Sequence, residues 1–225
     1  MEATQTFDPE ISNSFEFGHL WYIKGGSLLS SAYHRYRTNL IERVKELQES
    51  GQTLFIPINL GKQHAFGLEF NANYNPTPKW NINGNVNLFG YITSTTRNNQ
   101  PEQFEGLSLQ TRVSSKLKIK GADIQMALQY RAPEENIQGK SFAMYWVDAG
   151  VSKDVLKGNG TLTLSVRDLF NTRKWHRSIN EPGYQESFDF QWRSRQINLS
   201  FFYRLNQTKK QKQSNGGFES DDMGF

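Results

Sequence analysis

The 225-residue sequence contains no cysteine, which removes disulfides, thiol nucleophiles and thiolate metal sites from consideration. It also lacks any run of roughly eighteen consecutive apolar residues, so no helix of this chain could span a bilayer. The first residues, Met1 to Phe7, have neither a basic start nor an apolar stretch of secretory length, and the expectation is a chain without a signal peptide. A dominant charge is missing as well: 26 basic and 22 acidic residues leave a net +4. The densest basic run, Lys209, Lys210 and Lys212, is followed by Glu219, Asp221 and Asp222. Charge so mixed describes a solvated surface, and no nucleic-acid partner is expected.

Catalytic patterns are missing too. His19, His34, His64 and His176 show no metal-ligand spacing, and there is no Gly-x-Ser-x-Gly elbow, phosphate loop or zinc-binding helix. Gly158-Asn159-Gly160 lies between two alternating segments and reads as a hairpin turn. His34 follows Ser30 and Ser31, but adjacent strand residues point to opposite faces and no carboxylate is placed with them. The expectation is neither enzyme nor cofactor nor metal site.

What the sequence does have is 16 Phe, 9 Tyr and 5 Trp arranged with a period of two. Trp80, Ile82, Val86 and Leu88 alternate with Asn81, Asn83, Asn85 and Asn87, which sorts apolar groups from carboxamides only in an extended chain. Phe66, Leu68, Phe70, Ala72 and Tyr74 alternate with Glu69, Asn71, Asn73 and Asn75. The same rule governs Leu107 to Ile119, Ile124 to Tyr130, Leu162 to Val166 and Ile197 to Leu205. It predicts nine strands, near 14–23, 27–45, 52–75, 79–94, 104–120, 122–132, 142–156, 160–171 and 187–205. Leu40 to Glu49 carries a weak helical spacing inside one of these runs and reads as strand.

Mean hydropathy of −0.69 therefore does not mean a soluble protein, because strands that alternate average out. Connections alternate as well. Short turns fall at Lys24-Gly25-Gly26, Asn75 to Pro78, Lys120-Gly121-Ala122 and Lys157 to Gly160, and longer polar connections near 46–52, 94–104, 132–141 and 171–187. That is the pattern of a transmembrane meander with short turns on one side and long loops on the other. Strands of this length, at about 3.3 Å per residue, would stand well proud of the bilayer.

On this reading Phe66, Leu68, Phe70, Tyr74, Trp80, Ile82, Leu88, Leu164, Leu199, Phe201 and Tyr203 face lipid, with Tyr74, Trp80 and Tyr203 as an interfacial girdle near the short turns. Asn81, Asn83, Asn85, Asn87, Arg112, Arg167, Asn198 and Arg204 face the lumen. Lys116, Arg131, Glu69, Asp123 and Asp148 would add to that charged, wet wall. Asp168 and Arg173 bracket the end of one strand, either touching a ligand or plug or, the favoured reading, organising the strand end.

Several stretches resemble the C-terminal part of the outer-membrane β-barrel family of TonB-dependent receptors. These are Pro9-Glu10 with Ser12 to Gly18, Pro57 to Lys62 with Gly67-Leu68-Glu69, Tyr74-Asn75-Pro76, Ser165 to Arg173, and Ser194 to Arg204. The resemblance runs from about Asp8 to Leu205 and implies part of a receptor that imports a scarce nutrient with energy relayed from the inner membrane. It further implies three partners: outer-membrane lipid, the rest of the receptor with its plug and upstream strands, and an energy-coupling protein reached through that plug.

The expected fold is all-β: an antiparallel up-and-down meander of about nine long strands forming a partial, open barrel. Residues 1–13 would be a partial external loop, 14–205 the barrel segment and 206–225 a disordered tail ending in Phe225, a candidate assembly signal. Two alternatives remain open at this point. One is a structural or adhesive barrel pairing with other chains; the other is a soluble carbohydrate-binding β-sandwich that covers both faces of the Asn81 to Asn87 strand.

Overall fold

The structure, a computed structural model, describes residues 8–47, 52–97, 100–181 and 184–205. Nine strands make one continuous antiparallel sheet. In spatial order they are β1 (Ile11–Ile23), β2 (Gly26–Thr38), β5 (Lys62–Thr77), β6 (Trp80–Arg97), β7 (Gln100–Ile119), β8 (Ala122–Arg131), β11 (Met144–Val155), β12 (Gly160–Arg167) and β15 (Gln196–Tyr203). Six further strands form side hairpins on the connections: β3 (Ile41–Leu47) with β4 (Thr53–Asn59), and a four-stranded patch of β9 (Glu134–Asn136), β10 (Gly139–Ser141), β13 (Trp175–Glu181) and β14 (Tyr184–Phe190). The sheet is open, with β1 and β15 as its edges.

Register follows from alternation. Directly opposed residues share a face, and one row of partners crosses the whole sheet: Ile23, Gly26, Tyr74, Ile82, Ser115, Met126, Ala149, Val166 and Ile197. A second row joins Trp80, Leu117, Ile124, Val151, Leu164 and Leu199. Slipping any one strand by a residue would turn its apolar set to the other face, so the pattern fixes the pairing. The longest members, β6 with 18 residues and β7 with 20, reach roughly 60 Å at about 3.3 Å per residue.

Several strand boundaries depart from the sequence reading, the first being β1, which begins at Ile11 and so takes in the end of the expected 1–13 loop. The segments expected at 27–45 and 52–75 each break in two, because Asn39 takes a φ of 54° and Gly61 a φ of 132°. A Cβ on Gly61 would lie 2.3 Å from the Ser94 carbonyl oxygen, so this kink needs glycine twice over. Leu40 and Leu60 bridge the break with backbone hydrogen bonds, Leu40 N–H to Gly61 O at 3.0 Å and Leu60 N–H to Leu40 O at 2.6 Å, and both side chains are buried. The strand expected at 187–205 is likewise two strands, β14 and β15. The strand expected at 160–171 stops at Arg167, since Asp168 has a φ of 54°. The long connection expected at 94–104 is a strand extension instead, with Arg97 paired to Gln100.

The connections expected at 132–141 and 171–187 carry β9, β10 and β13, and two further expectations hold. Ile41 to Leu47 is strand, and all four short turns lie at one end of the sheet. The tail calls from Asn206 to Phe225 and the start of the 1–13 loop lie outside the described residues.

Candidate functional site

The polar face of the sheet, and the hairpins folded over it, form the site. Across β5 and β6 the carboxamides bond to one another rather than standing as separate groups. Asn73 Nδ2 donates to Asn83 Oδ1 at 2.6 Å, Asn83 to Asn81 at 2.6 Å, Asn81 to Asn75 at 2.9 Å and Asn75 back to Asn73 at 3.0 Å, closing a ring of four. Above it, Asn71 and Asn85 both donate to Glu69 Oε1, at 2.9 and 3.0 Å, and Asn85 also donates to Asn71. Tyr33 donates to Asn87 Oδ1 at 3.0 Å. An amide supplies two donors and an acceptor, so a wall of them can satisfy itself and still offer groups to water or solute.

Toward the long-connection end, the hairpins close over this face. Tyr91 Oη donates to the Glu135 carbonyl at 2.6 Å and accepts from the Glu135 N–H at 3.0 Å. Ser108 donates to Glu134 Oε1 at 2.7 Å. The ring of Tyr91 lies against Gly106, where a Cβ would sit 2.3 Å from its oxygen. Gln138 joins two hairpins: its Oε1 accepts from Lys45 N–H at 2.8 Å and its Nε2 donates to Lys45 O at 2.9 Å, while its own carbonyl accepts from Asn180 N–H at 2.8 Å. A Lys45 to Glu186 ion pair adds a third tie. Beneath this roof lies a cavity of about 390 Å³, bounded by Tyr33, Arg35, Arg37, Glu42, Phe89 and Tyr91 among others. Burial pushes the Glu42 carboxyl above the ordinary glutamate range, against the pull of Arg37 and Arg177. A second, more open groove of about 650 Å³ runs down the same face past Asn81, Asn83, Arg112, Lys116, Asp148 and Arg167.

All the residues expected to face lipid share one face, and all those expected to face a lumen share the other. Leu68 sits opposite Leu88, and Leu164 opposite Leu199. Asn85 sits opposite Arg112, Ser165 opposite Asn198, and Arg167 opposite Gln196. Arg204, just past β15, donates to Gly158 O and Thr161 Oγ1. No described element covers the apolar face, where Leu199 is 70% and Phe17 81% exposed. Tyr74, Trp80 and Tyr203 all lie near the short turns on that face, Trp80 donating to Ser115 Oγ at 2.9 Å. At its opposite end Tyr36 stacks on His64 and His34 on Phe66, with His34 Nε2 3.1 Å from His64 Nδ1.

Asp168 organises the strand end. Only 1% exposed, its carboxylate accepts from the N–H groups of Thr172 at 2.9 Å and Arg173 at 3.1 Å, and Asp148 accepts from the Asp168 N–H at 2.8 Å. Asn171 then holds the link between β14 and β15, accepting from Gln191 and the Arg195 N–H. Arg173 lies 4.6 Å over the ring of buried Trp146. Sequence reasoning missed Gln138, Glu134 and Tyr91, whose partners lie 24 to 93 positions away with no local signal.

A family model described as outer membrane protein beta-barrel family matches residues 5–203. No curated protein matches the chain, and no solved structure does.

Proposed function

The chain belongs to the outer membrane protein beta-barrel family, and on that premise we propose that it is the C-terminal wall of a TonB-dependent receptor for nutrient uptake. Its place is the outer membrane, and its sheet is an outer-membrane barrel sheet. The observation that carries the reading is the division of labour between faces. No described element covers the apolar face between Ile23 and Ile197, while the β3–β4 and β9–β10 hairpins lie over the amide face. A passive pore would have little use for hydrogen-bonded hairpins roofing its polar wall; a receptor that must hold a solute at the outer end would. The partners on this reading are lipid against the apolar face, a plug against Arg112, Arg167 and the amide ladder, and an energy-coupling protein acting through that plug.

The sequence stretches from Ser165 to Arg173 and Ser194 to Arg204 support the same reading, because in the fold they meet at one strand end. Uptake by the assembled protein in whole cells tests it. Solute accumulation that stops when an uncoupler dissipates the inner-membrane proton gradient is expected; passage indifferent to the gradient would instead mark a structural or passive barrel.

A further inference from the structure

We infer that the cavity beneath the β3–β4 and β9–β10 hairpins is a binding site for a neutral saccharide of one or two rings. The inference rests on the receptor reading above, which needs a solute at the outer end, and names the chemical class of that solute.

Two tyrosines of the cavity wall stand opposite glycines. Tyr33 pairs across the sheet with Gly67, and Tyr91 with Gly106. A Cβ on Gly67 would lie 2.3 Å from the Tyr33 ring, and one on Gly106 equally close to the Tyr91 oxygen, so each tyrosine occupies space that a larger residue on the next strand would fill. Both hydroxyls are engaged, Tyr33 with Asn87 and Tyr91 with the Glu135 backbone. Rings tied at both ends hold their orientation, and what they leave to a solute is carbon surface, which Phe89 and Phe104 widen. A sugar ring carries C–H groups on its faces and hydroxyls round its rim, so it can lie against such rings while the rim bonds to the walls.

Polar groups on the same walls have bonding capacity left over. Glu134 Oε1 accepts from Ser108 and Gln110, while Oε2 has no partner among the described residues. Asn87 accepts from Tyr33 and keeps the donors of its Nδ2. Arg37 donates to Gln63 and pairs with Glu10 at 3.6 Å, yet its buried Nε has no partner among the described residues. Donors and acceptors are thus mixed on one surface, which suits hydroxyls, since each both gives and takes a hydrogen bond. Charge selects against ions: Arg35 and Arg37 share the cavity with Glu42, Glu134 and Glu135, so neither sign dominates. The volume of about 390 Å³ lies at the small end of the roughly 300 to 1,000 Å³ of small-molecule sites.

The assembled protein, purified from outer membranes in detergent, is applied to an array bearing neutral mono- and disaccharides, their uronic acid and phosphate forms, and catechol carboxylates. Retention on neutral sugars, competed by the free sugar, is expected. Tyr33→Ala should weaken it about tenfold, and Tyr33→Phe, which restores the ring, should recover most of that loss. Three results overturn the inference: preference for the charged sugars or the catechols, equal weakening by both Tyr33 variants, or no retention by protein that keeps its strand circular dichroism. The receptor reading is judged apart, by the uptake measurement above. Sugar binding with passage indifferent to the proton gradient would remove the receptor and leave a sugar site on a passive barrel, whereas gradient-driven uptake by a protein that binds no neutral sugar would do the opposite.

Discussion

At the scale of single residues, the two faces make opposite demands. Leu164→Arg or Leu199→Arg puts a cation on the uncovered apolar face and is expected to cost about 2 to 4 kcal/mol at mid-membrane depth. Asn198→Arg, on the other face of the same strand, should cost little. Unfolding in phosphocholine vesicles measures both, and equal costs would contradict the face assignment. Asp168 makes a different demand, because it is buried and answers two backbone N–H groups at a strand end. Asp168→Ala strands those donors, a loss of about 1 to 3 kcal/mol, and should open the adjacent loop to trypsin at Arg173; limited proteolysis reports it. Glu42 lies on β3, outside the spanning strands. Its folded pKa is raised by burial, so the folded chain holds that proton more tightly than the unfolded one. Its contribution is fully present below the unfolded pKa and is lost as pH rises through the folded value. Glu42→Gln should therefore flatten the loss of β3–β4 protection between acid and neutral pH, as read by hydrogen exchange.

At the scale of elements, the hairpins act as a set. β9–β10 is held to the sheet by Tyr91 and Ser108 and to β3 and β13 by Gln138. Tyr91→Phe removes a hydroxyl that both donates and accepts, at about 1 kcal/mol. Gly106→Val should do more, since the added side chain must displace the Tyr91 ring. Faster exchange of β9–β10 amides is expected in both variants, greater in the second, with the amides of β11 and β12 unchanged. Strand existence and face were legible in the alternation, as Trp80 to Leu88 shows. The breaks at Asn39 and Gly61 were not, because apolar and polar residues keep alternating through them while the backbone turns. Nor was the hairpin at the tip of β6 and β7, where a polar stretch reads as a loop whether or not it is paired.

At the scale of the whole molecule, the fold is a wall with two distinct ends. Single cysteines at Lys120, in a short turn, and Lys140, on a hairpin at the long-connection end, should respond differently to a membrane-impermeant maleimide added to intact cells. Lys140→Cys is expected to react and Lys120→Cys to stay unlabelled until the outer membrane is opened. The reverse pattern would invert the barrel. Sequence by itself determined which residues share a face, how many strands cross and which connections fall together, because side-chain direction in an extended chain alternates by geometry alone. Only the tertiary structure decided that the hairpins fold onto the amide face and meet through Gln138, that four asparagines close a ring, and that Asp168 locks a strand end. Those contacts join residues far apart in the chain, and their energy depends on distances that no local pattern records.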